Sequence, residues 1–168
     1  MPFDITSWAA AWFLPFVLPV CAWVIWSDLR AMRIPNTSVM TLTGIYLVVG
    51  LIAMPSLWPA YVMGLAAIVI VLIFGIIANA AGLMGAGDSK FLAAAAPFIH
   101  PGDARILLFI FAANLLACFV THRIAKYTPL RRMAPDWDSW DKGRKFPMGF
   151  ALGSTLVMYL AFGILWGQ

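Results

Sequence analysis

The sequence contains no glutamate; all seven acidic residues are aspartate. It has two cysteines, Cys21 and Cys118, each inside an apolar run, and no CxxC pair. A cysteine zinc site is therefore excluded, and each thiol reads as a small buried apolar residue rather than half of a disulfide. The two histidines, His100 and His122, fall at the boundaries of apolar runs. No metal and no cofactor are expected. Linkers rich in proline or serine and low-complexity segments are also missing, so one domain over residues 1–168 is expected. The opening residues lack the basic stretch of a signal peptide, and the first apolar run is expected to be retained.

What the chain has in abundance is apolar surface. Of its 168 residues, 63% are hydrophobic, and the mean hydropathy is +0.91. Soluble domains are nearer ~45–50% apolar. A domain this small cannot bury so much apolar surface away from water. Lipid is the consistent solvent, and an all-α polytopic membrane protein is the expected fold.

A spanning helix needs ~20 mostly apolar residues. Runs of that kind cover residues 8–26, 37–54, 59–80, 104–121 and 148–166. A shorter run at 89–99 follows a glycine-rich loop. About six transmembrane helices are expected, the fourth being the shortest. Pro15 and Pro19 fall inside the first run, where neighbouring helices can satisfy the freed carbonyls. Trp8, Trp12, Trp23, Trp26, Trp58 and Trp166 lie near run ends, as an interfacial aromatic belt requires.

The net charge is +4, and its placement is more informative than its sum. Arg30, Arg33, Lys90 and the seven basic residues of segment 122–146 fall in alternate loops, leaving only Arg105 opposite. The side rich in Lys and Arg is normally the cytosol. The N-terminus then lies outside, and segment 122–146 is a cytosolic basic loop. The fourth run must cross, because otherwise that loop would face out. The basic charge thus needs no nucleic acid to explain it; the partner it implies is a lipid bilayer.

Two aspartates stand out. Asp28 follows the first run in WSDLRAMRIPN, and Asp88 ends the sequence Gly85-Ala86-Gly87-Asp88, with Lys90 two residues on. Taken singly, each has an ordinary reading. Asp28 can pair with Arg30 or lipid headgroups at the interface. Asp88 can be the N-cap of the next helix. Pro35 keeps Ile34 extended, and Asn36 or Thr37 can cap the second helix, which makes a short rigid connection. Glycines ahead of a membrane carboxylate let a second chain come close.

The pair says more than either member. Both aspartates fall on the cytosolic side of the topology above. Two neighbouring carboxylates do not both ionise easily, so one can act as a base toward water while the other, protonated, polarises a carbonyl. Asp4 and Asp103 fall on the far side, and Asp136, Asp138 and Asp141 sit with Trp137 and Trp140 in a segment that reads as a surface loop. Gly149 and Gly153 form a GxxxG that suits close helix packing.

The stretch from Asp28-Leu29-Arg30 through Ile34-Pro35-Asn36 resembles the first active-site motif of bacterial prepilin peptidases, and Gly85-Ala86-Gly87-Asp88 with Lys90 resembles their GxGD motif. Pro147-Met148-Gly149 is similar to a weaker family feature in which an aromatic usually stands where Met148 is. The resemblance covers most of the chain. It implies Asp28 and Asp88 as a catalytic pair, with Gly85, Gly87, Lys90, Pro35 and Asn36 supporting the site and no metal. It implies prepilin or pseudopilin substrates with a short basic leader, a glycine before the cleaved bond and an apolar helix after it. Without a four-cysteine zinc segment, the chain looks like the short, peptidase-only form that serves Flp/Tad-type pili.

Three alternatives stand beside this reading. Another GxGD intramembrane protease would place its first aspartate deeper in a helix. A small transporter or channel subunit would carry charge near mid-helix. A structural membrane partner would use Asp28 and Asp88 only as interface and cap residues.

Overall fold

The computed structural model describes residues 3–54, 58–143 and 145–168. Among them are six α-helices and no strand: α1 (Ser7–Ala31), α2 (Asn36–Ala53), α3 (Trp58–Ala80), α4 (Ala86–Ala95), α5 (Ala104–Tyr127) and α6 (Met148–Trp166). Five are long and apolar enough to cross a membrane, all but α4. The protein is an all-α, multi-pass membrane protein.

Each boundary has a local cause. The side chain of Thr6 caps α1 by accepting from Ala9 N–H. The helix runs past the first apolar stretch to Ala31 and stops where Met32 takes a left-handed conformation, φ 51°. Asp28 is therefore in the last full turn of α1 rather than beyond it. Pro35, extended at φ −66°, is the N-cap of α2. Neither Asn36 nor Thr37 caps that helix; Asn36 is its first residue, and its side chain reaches α4 instead. Gly82, at φ 73°, makes the turn that leads from α3 toward α4.

The ends of the helices sort into two groups. At one end, the Asp103 carboxylate accepts from Asp4 N–H at 2.8 Å, Ile5 N–H at 3.0 Å and the Tyr159 hydroxyl at 2.7 Å. There too, Ser7 N–H donates to Gln168 C=O at 2.9 Å. The starts of α1 and α5 and the end of α6 thus meet. At the other end are Asp28 and the starts of α4 and α6. Although α4 is short, it continues into 3₁₀ turns at Ala96–Phe98 and Pro101–Asp103. That combined path carries the chain from the Asp28 end to the Asp103 end, as the charge pattern requires of the fourth run.

The core forms around α1, which packs on α6 and α2. Phe13, Val17, Cys21 and Val24 of α1 are fully buried, as are Tyr159 and Leu160 of α6. Gly153 permits the α1–α6 approach: a Cβ there would lie 3.1 Å from Ile25 and 3.3 Å from the Cys21 carbonyl. Phe13, Tyr46, Tyr61 and Phe98 form an aromatic cluster that joins α1, α2, α3 and the turn after α4. The two cysteines are free and buried. Helix α5 is the least covered and is tethered to α6 by Asn114, whose amide donates to Ala151 C=O, Ser154 Oγ and Thr155 Oγ1 at 2.7–3.1 Å. Such amide contacts hold helices together where lipid supplies no hydrophobic drive.

Segment 122–146 departs from a plain surface loop. Its first residues belong to α5, and two 3₁₀ turns follow at Pro129–Met133 and Asp138–Trp140. Trp140 is buried and stacks on His122 at 4.9 Å; Trp137 meets Trp26 of α1 edge-on at 5.4 Å. The tryptophans bring the segment back onto the bundle because large rings gain most by burial. His122, at the end of the fifth run, is accordingly buried, and neither ring nitrogen has a hydrogen-bond partner among the described residues. The exposed Arg131–Asp141 ion pair at 2.8 Å adds little.

Candidate active site

A cavity of about 740 Å³ opens at the Asp28 end of the bundle. Asp28, Asp88, Gly85, Gly87, Lys90 and Asn36 all line it, together with Arg33, Lys145, Phe146 and Met148. Of the seven site residues expected from the sequence, only Pro35 does not line it; Pro35 instead starts α2 and accepts a hydrogen bond from Ser38 Oγ at 2.7 Å. The four-residue link before α2 is further tied by Ser27 Oγ to Arg33 C=O at 2.9 Å.

Asp28 is 5% exposed. Its Oδ2 accepts the Gly149 N–H at 2.6 Å. Gly149 is the second residue of α6, so its amide is one of the free donors that every helix start leaves. The helix dipole favours an anion at that position. A side chain there would collide: a Cβ on Gly149 would lie 3.0 Å from both Asp28 Cβ and Oδ2. Asp28 thus bridges the end of α1 to the start of α6.

Asp88 is not the N-cap of α4. The cap is Gly85, and Asp88 is the third helical residue. From there its carboxylate reaches back to the Gly85 N–H, the reciprocal half of a capping box. A Cβ on Gly85 would come within 2.7 Å of Asp88 Oδ2, so the glycine leaves that oxygen room. Burial raises the Asp88 pKa above the ordinary carboxylate value, and the Gly85 hydrogen bond opposes the rise. The charge of Asp88 in turn reaches Asp28. Among the described residues, neither carboxylate belongs to an ion pair, Arg30 included.

Contacts from α2 and α3 fix the helix that carries Asp88. Ser89 Oγ donates to Gly75 C=O at 3.0 Å, and a Cβ on Gly75 would lie only 2.9 Å from Ser89 Cβ. Gly87 faces Ile34, at 3.3 Å from where its Cβ would be. Lys90 Nζ donates to Asn36 Oδ1 at 3.1 Å. The two motifs are therefore linked side chain to side chain. Among the described residues, no group of three or more His, Cys or Asp side chains is placed to hold a metal ion.

The sequence reading assigned Gly149 only to helix packing and to a weak motif, and it missed the amide that holds Asp28. The usable signal was Pro147 before Gly149: a proline that caps a helix announces free amides in the next turn.

A membrane-embedded bundle with two unpaired carboxylates on one cavity defines a candidate acid–base site. Residues 15–122 match the model of the type IV leader peptidase family, and the chain belongs to that family. It is a membrane peptidase of the prepilin-processing class. The matched stretch includes Asp28 and Asp88 and ends before Gly149. No curated protein and no solved structure matches the chain.

Proposed function

We propose that this membrane peptidase is an aspartyl endopeptidase that uses Asp28 and Asp88 as its catalytic pair. It removes the short basic leader of a prepilin or pseudopilin, after glycine, at the cytosolic face of the bacterial inner membrane. The observation that carries this reading is the placement of both carboxylates on one cavity, with Asp28 held by the Gly149 amide and Asp88 by the start of α4.

The chemistry follows from the pair. Two carboxylates that share one cavity hold one proton between them, and that proton belongs to the pair rather than to either residue. The ionised member takes a proton from water, and the hydroxide formed attacks the scissile carbonyl carbon. The protonated member donates to the carbonyl oxygen. The tetrahedral intermediate then collapses, the C–N bond breaks, and the leaving amine takes up a proton. This sequence uses no metal, no cofactor and no covalent nucleophile. Gly85 and Gly87 keep side chains out of the path of an extended substrate backbone.

The orientation rests on charge. Ten of the eleven basic residues fall on the Asp28 side in sequence, and Arg33, Lys90 and Lys145 line the cavity itself. The positive-inside tendency assigns that side to the cytosol, with the N-terminus outside and segment 122–146 as a cytosolic basic loop of a single peptidase domain. The pilus it serves is proposed to be of the Flp/Tad type, as the resemblance of its motifs implies.

The test is co-expression of a pilin precursor with the wild type and with the Asp28→Asn and Asp88→Asn variants, with leader removal read by mass. The wild type is expected to trim the precursor after glycine, and both variants, at equal abundance in the membrane, are expected not to. Cleavage by either variant at a rate near that of the wild type would remove that aspartate from the catalytic pair.

A further inference from the structure

The cavity at Asp88 does not end there. Along α4 it continues into an apolar groove of about 320 Å³, and Met84, Asp88 and Met148 line both. Leu92 and Ala95 of α4 form one wall, Leu108 and Phe111 of α5 the other, and Leu152 and Leu156 of α6 the floor. The gap exists because α5 packs on α6, held there by Asn114, while among the described residues α4 and α5 barely touch. Leu108 is 67% exposed, so the groove opens toward lipid at that wall.

Its lining decides what can occupy it. Apart from Asp88, the one polar side chain is Thr155, and that is already engaged by the Asn114 amide at 2.9 Å. An occupant therefore finds no partner for polar groups beyond the first turn. A polypeptide can lie there in lipid only as a segment whose backbone satisfies itself, which means a helix. The groove follows α4 and its 3₁₀ turn from Asp88 to Ile99. At the rises of those elements this is about 18 Å, or about twelve residues of a second helix.

We infer that this groove seats the apolar helix following the cleaved bond of the substrate, running parallel to α4 and antiparallel to α5. One face of that helix enters the groove and the other stays in lipid. The inference rests on reading the Asp28–Asp88 cavity as the peptidase site, because that reading puts the start of the helix at Asp88. It adds a location and a register: residues in the first turns after the scissile bond face Leu92, and those about three turns on face Leu108.

Disulfide cross-linking in membrane vesicles tests this. Leu92→Cys, Leu108→Cys and, as a control on the exposed face of α3, Phe74→Cys are introduced into the full chain, whose own cysteines are buried. A single cysteine is walked through the first sixteen or so positions after the leader of a pilin precursor, spanning about four turns. Cleavage of the same precursors is scored in parallel. The expected result is cross-linking at Leu92→Cys to early positions and at Leu108→Cys to late ones, well above Phe74→Cys. Cleavage with no such order, or with equal cross-linking at Phe74→Cys, overturns the groove and leaves the active site standing. Ordered cross-links without cleavage keep the groove and overturn the catalytic reading. Neither signal overturns both.

Discussion

Gly149 of α6 donates its amide to the Asp28 carboxylate of α1 across 2.6 Å, joining residues 121 positions apart. The bond is short because nothing but hydrogen stands on the Gly149 Cα; a Cβ there would lie 3.0 Å from the carboxylate. Gly149→Ala keeps the amide but forces Asp28 aside. Cleavage by Gly149→Ala is expected to fall at least about tenfold, roughly 1.4 kcal/mol of transition-state stabilisation. Steady-state kinetics on a purified precursor, with thermal unfolding in the same detergent, checks this. An unchanged kcat would show that the Asp28 position does not matter.

The two aspartates are expected to act as one unit. Asp28→Asn and Asp88→Asn should each lower kcat by about 10²–10⁴, the usual scale of general acid–base catalysis. The double variant should be little worse than either single one, because a pair that shares one proton is lost when one member is lost. Losses that multiply in a double-mutant cycle would point to independent roles.

Much of this was legible in advance. Five long apolar runs announced the helices, and ten basic residues on alternate loops announced which helix starts share an end. That Asp28 and Asp88 line one cavity was legible because both motifs stand at run boundaries on that end. Helix limits were less so. Hydropathy marks where side chains become polar, not where the backbone stops being helical. Asp28 was thus read as beyond α1, and the ordinary alternative for Asp88 was a cap, whereas it is the third residue of α4. Backbone donors carry no sequence letter, so the Gly149 amide was invisible. The fold-back of segment 122–146 depends on the tertiary partners of Trp137 and Trp140, Trp26 and His122, which no local pattern names.

Burial raises the Asp88 pKa, so the folded protein binds that proton more tightly than the unfolded chain does. The sign follows by linkage. The stabilisation is fully present below the unfolded-state pKa and is lost as pH rises through the raised folded value. At neutral pH the carboxylate therefore costs stability, and Asp88→Asn removes that cost. The thermal midpoint of Asp88→Asn is expected to exceed that of the wild type at pH 7, with the difference shrinking as pH is lowered through the carboxylate range. A midpoint at or below the wild type at pH 7 would contradict the burial argument. The same raised pKa lets the pair keep its shared proton to higher pH, so the alkaline fall in cleavage is expected later than ordinary carboxylates would predict.

The far end of the bundle offers the converse case, a polar cluster with stability to lose and no chemistry. The Tyr159 hydroxyl donates to Asp103 at 2.7 Å and accepts from His100 N–H at 3.0 Å, within a side chain that is fully buried. Tyr159→Phe leaves the His100 N–H without that acceptor, and the Asp103 carboxylate keeps its two donors from Asp4 and Ile5. Losing the buried hydrogen bond from the hydroxyl to the Asp103 carboxylate costs about 1.5–3 kcal/mol. In a chain of this size that lowers the thermal midpoint by several degrees, at about 2–4 °C per kcal/mol. Since Tyr159 touches neither Asp28 nor Asp88, the specific activity of folded Tyr159→Phe should match the wild type below its own transition. A fall in kcat without a fall in the midpoint would couple the Asp103 end to the cavity and contradict the separation of the two ends.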